Sequence, residues 1–369
     1  MEYILQNLEE VRIGSIIAED LFVNTKSPVV RKDTKVSREH IEVLRAFNII
    51  KVPISVENIF NRSEEEILEL NNKKQVDEQK NSNSLSNKTN FNTLYNQAVN
   101  NFFKEFTAWE TGVKVDVAKL RNIVMPLVDR AMQEKHIFSL LNSFSSMDKY
   151  VAHHSIAVGI LSGAIAKKLR YEPGLINQIA TAGLLADAGM AKVNYKIRDK
   201  KTPLTENEFS EIKKHTIFSF QAIKDSPLLK PEMKLAIFQH HERLDGSGYP
   251  KGERMNNISL FSQIIAVADV YHAMTSERIY RAKASSFKVL EMIKEEEFGK
   301  YNIEVVNALI SLVCDLPIST KVRLSDGELA EIIFIHRDSP MRPMIRLLET
   351  GHIIDLAGKR SLHIESVIN

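Results

Sequence analysis

YVAHHSIAVGILSGAIAKKL, residues 150 to 169, is apolar on almost every side when it is placed on a helix. A helix that is apolar all round is buried within a domain rather than lying on its surface. The same run carries two adjacent histidines, His153 and His154. The stretch therefore predicts the central helix of an all-helical domain, with imidazole side chains inside it.

Helical spacing of apolar residues extends on both sides of this run, from Phe91 to about Val313. Thr205 and Glu208 form a predicted capping box, which opens the helix that leads to His215. Alternation of apolar and polar residues, typical of strands, is concentrated near the two ends of the chain, in VRIGSIIAEDLFV and in KVRLSDGELAEIIFIH.

These patterns divide the chain into regions. The stretch from 61 to 90 is polar and low in complexity, which is typical of a flexible linker. We predict a mainly α protein made of an N-terminal α+β module (1–60), a flexible polar linker (61–90), a helical domain (91–315) and a C-terminal β module (316–369).

Composition excludes several classes of protein. A chain of 369 residues can bury at least one large core, and a formal net charge of +2 gives no basic field for a nucleic acid polymer. The single cysteine, Cys314, excludes an intramolecular disulfide and a thiolate metal cluster. The sequence has no apolar run of about 18 residues and no signal-peptide pattern. We expect a cytoplasmic protein without membrane insertion.

Histidines and carboxylates concentrate in the helical region. A single buried histidine is more often a hydrogen-bonded structural residue than a ligand. A group of them on the helices of one domain favours a metal site, and imidazole with carboxylate suits Fe, Mn, Zn or Ni. Two such ions about 4 Å apart suit phosphodiester cleavage. The group consists of His153, His154, Asp187, His215, His240, His241 and Asp269.

The order of the motifs in this region is specific. HHS, LLADAG, EIKKH, QHHERLDGSGYP, AVADV and ERIYR follow one another within residues 148–282. The run resembles the HD-GYP family of HD-domain phosphohydrolases over roughly residues 140 to 315. The resemblance implies an HD-type helical bundle that binds two or three divalent metals, commonly iron or manganese. It also implies hydrolysis of the bacterial second messenger cyclic di-GMP, to pGpG or GMP.

The resemblance implies roles for individual residues. The implied metal ligands are His154, Asp187, His215, His240, His241 and Asp269. Asp187, as the bridge between two ions, and Asp269 would also be the catalytic carboxylates. The implied substrate contacts are Arg278, Arg281, Lys200 and Tyr249. The two arginines are three residues apart, so on a helix they share a face from which they would hold phosphate oxygens.

Three positions depart from the family's pattern. The family has His-Asp-x-Gly-Lys where this chain has Ala186, Asp187, Ala188, Gly189 and Met190. Alanine cannot ligate a metal, and methionine carries neither the charge nor the proton of lysine. Tyr150 occupies a position that is a carboxylate in members with three metals, so we do not expect a third ion.

These departures affect the two ions differently. One ion would take Asp187 and three histidines, and that set is complete. The other would take His154, Asp269 and the bridging Asp187, with no ligand from position 186, so we expect it to bind weakly. Periodicity does not decide between His153 and His154. Adjacent helical residues point about 100° apart, which disfavours His153 as a replacement ligand without excluding it.

Three functions are compatible with the sequence. We favour a protein that binds cyclic di-GMP with weak or no hydrolysis, because both departures fall on catalysis rather than on folding. An active, metal-dependent cyclic di-GMP phosphodiesterase is the first alternative. A non-catalytic scaffold that meets a diguanylate cyclase (GGDEF) domain is the second. A homodimer is compatible with each.

Overall fold

The computed structural model contains two compact units, Met1–Lys88 and Thr89–Asn369. It describes residues 3–8, 10–21, 30–37, 40–41, 44, 49–55, 91–134, 136–144, 149–276, 284–296 and 298–368. The predicted linker at 61–90 lies outside the described residues, as do the predicted phosphate contacts Arg278 and Arg281. The domain boundaries proposed near residues 90 and 315 stay predictions.

The first unit is organised around a two-stranded antiparallel sheet. Strands β1 (Tyr3–Asn7) and β2 (Lys51–Ser55) pair in a register that puts Leu5 opposite Pro53. A small apolar core, which includes Ile17, packs beside them. The predicted strand VRIGSIIAEDLFV is not formed among its described residues, where Ile16, Ile17 and Leu21 make only isolated bridges. The two paired strands lie outside that run.

The described part of the second unit is mainly helical up to Val313. Its helices are α1 (Phe91–Glu110), α2 (Val117–Ala131), α3 (Ile137–Leu140), α4 (Tyr150–Lys168), α5 (Pro173–Leu185), α6 (Tyr195–Arg198), α7 (Glu206–Lys213), α8 (His215–Ile223), α9 (Pro231–Gln239), α10 (Leu260–Thr275), α11 (Ser286–Glu291) and α12 (Ile303–Val313). Short 3-10 turns lie at Leu141–Phe144, Ala188–Lys192 and Met255–Asn257, and a π turn at Met292–Glu296. Among the described helices, none combines the length and apolar character that a bilayer span requires.

Helix α4 is the centre of this bundle. All its residues from Ala152 to Ala166 are buried, and α1, α2, α5, α10 and α12 pack around it. This confirms the central helix that was predicted from an apolar surface on every side. His153 and His154 are buried with their neighbours in this helix. Burial of a polar side chain costs free energy unless it is hydrogen-bonded or bound to a metal.

A five-stranded antiparallel sheet completes the second unit. Its strands are β3 (Lys321–Leu324), β4 (Leu329–Phe334), β5 (Met344–Leu347), β6 (Ile353–Asp355) and β7 (Ile364–Val367), in the spatial order β6-β5-β4-β3-β7. Val322, Ile332 and Ile345 point to one face and belong to the same apolar core as the helices. The alternating pattern of the tail thus reflects one face that packs on the bundle.

A partly buried ion pair joins this sheet to the helices. Arg342 Nε lies 2.6 Å from Glu291 Oε1, and Arg342 Nη2 donates to Glu291 Oε2 at 2.9 Å. The other guanidinium hydrogens reach backbone carbonyls, including those of Leu356 and Leu362. Nearby, Ser285 Oγ donates to the carbonyl of Ile364. Glu291 is buried and Arg342 is half-buried, so loss of the pair is costly, and the pair helps to hold the sheet against α11.

Replacement of Arg342 tests this join. We expect Arg342→Met to lower the free energy of unfolding by about 3 kcal/mol, because it leaves the buried Glu291 carboxylate with only the more distant Lys288 ammonium, 3.6 Å away, as an ion-pair partner. The double variant Arg342→Met/Glu291→Met should recover part of that loss. Urea denaturation followed by circular dichroism measures both.

Arg346 offers a matched control. It pairs with Glu331 on the outer face of the sheet and is 52% exposed. Arg346→Met should therefore cost less than about 1 kcal/mol. Equal losses for Arg342→Met and Arg346→Met would show that the Arg342–Glu291 pair does not hold the sheet to the bundle.

Candidate metal centre

Five elements of the bundle converge on one buried cluster of histidines and carboxylates. His154 comes from α4, Asp187 follows the end of α5, His215 opens α8, His240 and His241 follow α9, and Asp269 comes from α10. Ligand atoms of Asp187, His215, His240 and His241 lie within 4.8 Å of one another, and so do those of His154, Asp187 and Asp269. The structure thus brings together all six predicted metal ligands.

The turn after Asp187 is held tightly against α8. The amide of Gly189 donates to Ser219 Oγ at 2.7 Å, and that hydroxyl donates to the carbonyl of Ala186 at 2.7 Å. A Cβ atom at position 189 would lie 2.1 Å from the carbonyl oxygen of His215. Only glycine permits this approach, which brings the Asp187 carboxylate to the first residue of α8.

Backbone carbonyls fix the orientation of two imidazoles. The Nδ1 atom of His215 lies 2.6 Å from the carbonyl of Ile212, and that of His240 lies 2.6 Å from the carbonyl of Ile237. A carbonyl oxygen only accepts, so each Nδ1 carries the proton and the neutral ring has its lone pair on Nε2. These two Nε2 atoms face each other at 3.3 Å.

The Asp187 carboxylate adds negative charge to the same point. Its Oδ1 lies 3.2 Å from His215 Nε2 and 3.6 Å from His240 Nε2, and it is buried without a donor in good geometry among the described residues. Burial raises the pKa of a carboxyl, yet the surrounding histidines hold the pKa of Asp187 well below its ordinary range. Lone pairs that converge on an ionised carboxylate repel it unless a proton or a metal ion lies between them.

The charges on the histidines agree with this requirement. Burial alone would lower the pKa of His215, but Asp187 raises it, so the cluster attracts a positive charge. Burial and the adjacent His240 lower the pKa of His241 well below its ordinary value, so this ring is neutral and able to ligate. One carboxylate and three imidazoles are a donor set that suits Fe, Mn, Zn or Ni. The residues therefore fit a divalent transition metal.

A second ligand set shares Asp187 with the first. His154 Nε2 lies 3.3 Å from Asp187 Oδ2 and 2.9 Å from Asp269 Oδ1. Burial would raise the pKa of Asp269, but the nearby His241 and His154 hold it far below its ordinary range. Asp187 consequently offers one oxygen to each set, which is the arrangement of a carboxylate that bridges two ions.

Position 186 adds nothing to the second set. Ala186 is 3% exposed at the end of α5, and its methyl group has no donor atom. His153, which precedes His154 on α4, does not belong to either ligand set. The centre of its ring lies 5.7 Å from that of Tyr95. Tyr150 stacks its ring on His154 at 5.6 Å. Among the described residues the second set therefore has three members against four in the first.

The loop after His241 is attached to the cluster by backbone contacts. Gly248 packs so closely that a Cβ atom there would lie 2.4 Å from the carbonyl oxygen of His241. The amide of Tyr249 donates to that carbonyl at 3.1 Å, and the Tyr249 ring stacks on the His241 ring at 4.7 Å. Tyr249, a predicted substrate contact, thus covers a predicted metal ligand.

Two other polar side chains take part in local contacts. Glu242 follows the two histidines of the first set in sequence, but this buried carboxylate accepts the amides of Lys251 and Glu253 at 2.8 and 3.0 Å and so holds the loop. Lys200, another predicted substrate contact, pairs with Glu208 at 2.6 Å. The ammonium of Lys200 is directed at a helix cap rather than at either ligand set.

One residue of the centre was missed by sequence reasoning. His272 Nδ1 lies 3.0 Å from His154 Nδ1, and Ser276 Oγ lies 3.1 Å from His272 Nε2. When His154 donates its Nδ1 proton to His272, its Nε2 is left free for a metal. The available signal was spacing, because His272 is three residues after Asp269 and so shares its helix face.

Comparison with known proteins agrees with this geometry. The family model described as HD domain matches residues 132–305. These residues are thus similar to the HD domain family. The resemblance of the motifs to the HD-GYP family is confirmed by the relatives of the chain.

Two relatives match more than half of this chain. Cyclic di-GMP phosphodiesterase PA4108 of Pseudomonas aeruginosa is 29% identical over 236 residues, which are 64% of this chain and 57% of the relative. Cyclic di-GMP phosphodiesterase PdeB of Borreliella burgdorferi is 31% identical over 204 residues, which are 55% of this chain and 53% of the relative. This chain thus spans somewhat more than half the length of each.

A solved structure supports the fold. Bd1817, an HDG"Y"P protein from Bdellovibrio bacteriovorus, matches with a TM-score of 0.50 at 18% identity, over 84% of this chain and 98% of that chain. The predicted fold class is confirmed: an HD-type helical core with a small sheet in each flanking region.

A variant of His272 tests the second ligand set. We expect His272→Leu to weaken binding of the second Mn²⁺ ion by about 10- to 100-fold, because His154 loses the acceptor that orients its ring. The first ion, held by other histidines, should bind as in the wild type. Mn²⁺ titration against a competing chelator measures both constants.

His336→Leu is the control, since His336 lies just after β4, beside Asp355 and outside both ligand sets. It should leave both affinities unchanged. If His272→Leu also leaves both unchanged in a folded protein, His272 does not orient His154.

Proposed function

We propose that this chain binds cyclic di-GMP at the metal centre and hydrolyses it slowly, at a rate limited by occupancy of the second metal position. The observation that carries the proposal is the geometry of Asp187, whose two oxygens face two separate ligand sets. A bridged pair of divalent ions is the arrangement that phosphodiester cleavage uses. The names of both relatives support this substrate.

The first position would be held by Asp187, His215, His240 and His241, and the second by His154, Asp187 and Asp269. Bound there, two Fe or Mn ions would polarise the phosphodiester and neutralise the charge that develops on its oxygens. The protein's own groups provide preorganisation. Asp187 and Asp269 are ionised before any ligand arrives, and the carbonyls of Ile212 and Ile237 keep two imidazole rings in the ligating tautomer.

Slow hydrolysis follows from the three-member second set. Ala186 provides no ligand, which weakens metal binding at the second position. Catalytic metal sites commonly have three protein ligands and one open position, so binding there is not abolished. Met190 contributes in the same direction, because its uncharged side chain packs against the apolar core. The chain would act mainly as a receptor when metal is scarce and as a phosphodiesterase when the second position is filled.

Full phosphodiesterase activity is the alternative. The names of the relatives favour it, since both are called phosphodiesterases. The two hypotheses predict a different dependence of the hydrolysis rate on metal concentration. A fully active enzyme reaches its maximal rate at metal concentrations that barely exceed the protein, whereas the proposed protein needs excess metal.

Restoring the family's residues tests the assignment. We expect Ala186→His, alone and with Met190→Lys, to raise the affinity for the second Mn²⁺ ion by about 10-fold or more, and to raise hydrolysis at limiting metal in proportion. Metals per chain are counted by mass spectrometry after desalting, and pGpG release is followed by chromatography.

Asp187→Asn is the matched control in the same turn. It removes the bridging charge, so it should reduce occupancy of both positions and abolish hydrolysis. A folded Ala186→His variant with unchanged metal content and rate would contradict the assignment of position 186.

A further inference from the structure

Four side chains in contact extend from a member of the first ligand set to an exposed phenylalanine and are here called the aromatic rim: Phe209, Lys213, His241 and Tyr249. The Tyr249 ring stacks on His241 at 4.7 Å and meets the Phe209 ring edge-on at 6.4 Å and 80°. Lys213 Nζ lies over both rings, 4.7 Å from the centre of Phe209 and 5.5 Å from that of Tyr249. The Tyr249 ring therefore lies between the predicted metal ligand His241 and the ammonium group of Lys213.

Lys213 keeps its charge available. Within the part of the chain that the structure describes, it forms no ion pair with a carboxylate, whereas the nearby Lys200 and Lys214 pair with Glu208 and Glu211. Contact with two ring faces positions its ammonium without neutralising it. A cation placed in this way beside a metal centre adds to the field that attracts an anionic ligand.

Phe209 presents an aromatic surface to solvent at the same rim. It lies four residues before Lys213 on α7, so the two share one helix face, and it is 44% exposed. A single exposed phenylalanine is ordinary on a protein surface. Phe209 also lies beside Tyr249 and under an ammonium group. This position suits it to bind a nucleobase, because nucleobases stack on exposed aromatic rings.

We propose that Phe209 and Lys213 form a nucleotide subsite of the HD domain. Lys213 contacts a phosphate oxygen of a purine dinucleotide held at the metal centre, and Phe209 stacks on one of its purine bases. The inference rests on the proposed function and extends it, because it assigns phosphate and base recognition to two residues of α7. Tyr249 forms the wall between this subsite and the ligand His241.

Lysine variants test the phosphate contact in the full, manganese-loaded chain. Cyclic di-GMP binding is measured by titration calorimetry at low and at physiological salt. We expect Lys213→Met, which keeps the apolar stem over the rings, to weaken binding about 10-fold at low salt and to make its salt dependence shallower. Lys214→Met is the matched control, since Lys214 is exposed and pairs with Glu211, and it should bind within about twofold of the wild type.

Phenylalanine variants test the base contact. We expect Phe209→Ala to weaken cyclic di-GMP binding at least about fivefold and Phe209→Tyr to restore it, because a phenol ring stacks like a phenyl ring. Inorganic phosphate is the second probe. It carries no base, so Phe209→Ala should leave its binding unchanged, whereas Lys213→Met should weaken it.

The outcomes separate the subsite from the function on which it rests. If the wild type binds cyclic di-GMP and both Lys213→Met and Phe209→Ala bind equally well, the subsite is wrong and the proposed function stands. If the wild type does not bind, both are wrong. Metal content and melting temperature serve as readouts of a merely structural role. A loss of affinity that appears only together with a loss of metal or of stability would also overturn the subsite.

Discussion

The rest of the structure depends on one electrostatic constraint, the convergence of lone pairs on the ionised Asp187 carboxylate. The Nε2 atoms of His215 and His240 face each other at 3.3 Å and both face Asp187 Oδ1, with their protons held on the opposite sides of the rings. Such an arrangement is stable inside a protein only with a cation. The bundle provides the scaffold for it, and Gly189 and Gly248 allow the close approaches that complete it.

Much of the fold was predictable because its signals are local. An apolar surface on every side identified α4 as central, and alternation identified the C-terminal strands. The choice between His153 and His154 was not local, since α4 is apolar all round. It is decided by partners on other helices: Asp269 faces His154, while Tyr95 packs on His153.

The features that sequence reasoning missed depend on contacts between distant residues. In the sequence, His272 is a single histidine in an apolar run. Its contact with His154, 118 positions away, exists only in the folded chain. Glu242 adjoins two histidines in sequence, yet it binds amides of the following loop. Arg342 and Glu291 are 51 positions apart, and neither belongs to a sequence motif that would have predicted their contact. The motifs predicted which residues meet, whereas the groups that orient and support them required the fold.

The central claim is that the two metal positions differ in strength because position 186 adds no ligand. Its most direct test is a manganese titration of the wild-type chain in which metal binding and cyclic di-GMP hydrolysis are followed in the same samples. The account predicts that a first equivalent binds tightly with little turnover, and that turnover rises as a second, weaker equivalent binds. Two equally tight equivalents, or turnover that is complete with the first, would contradict it.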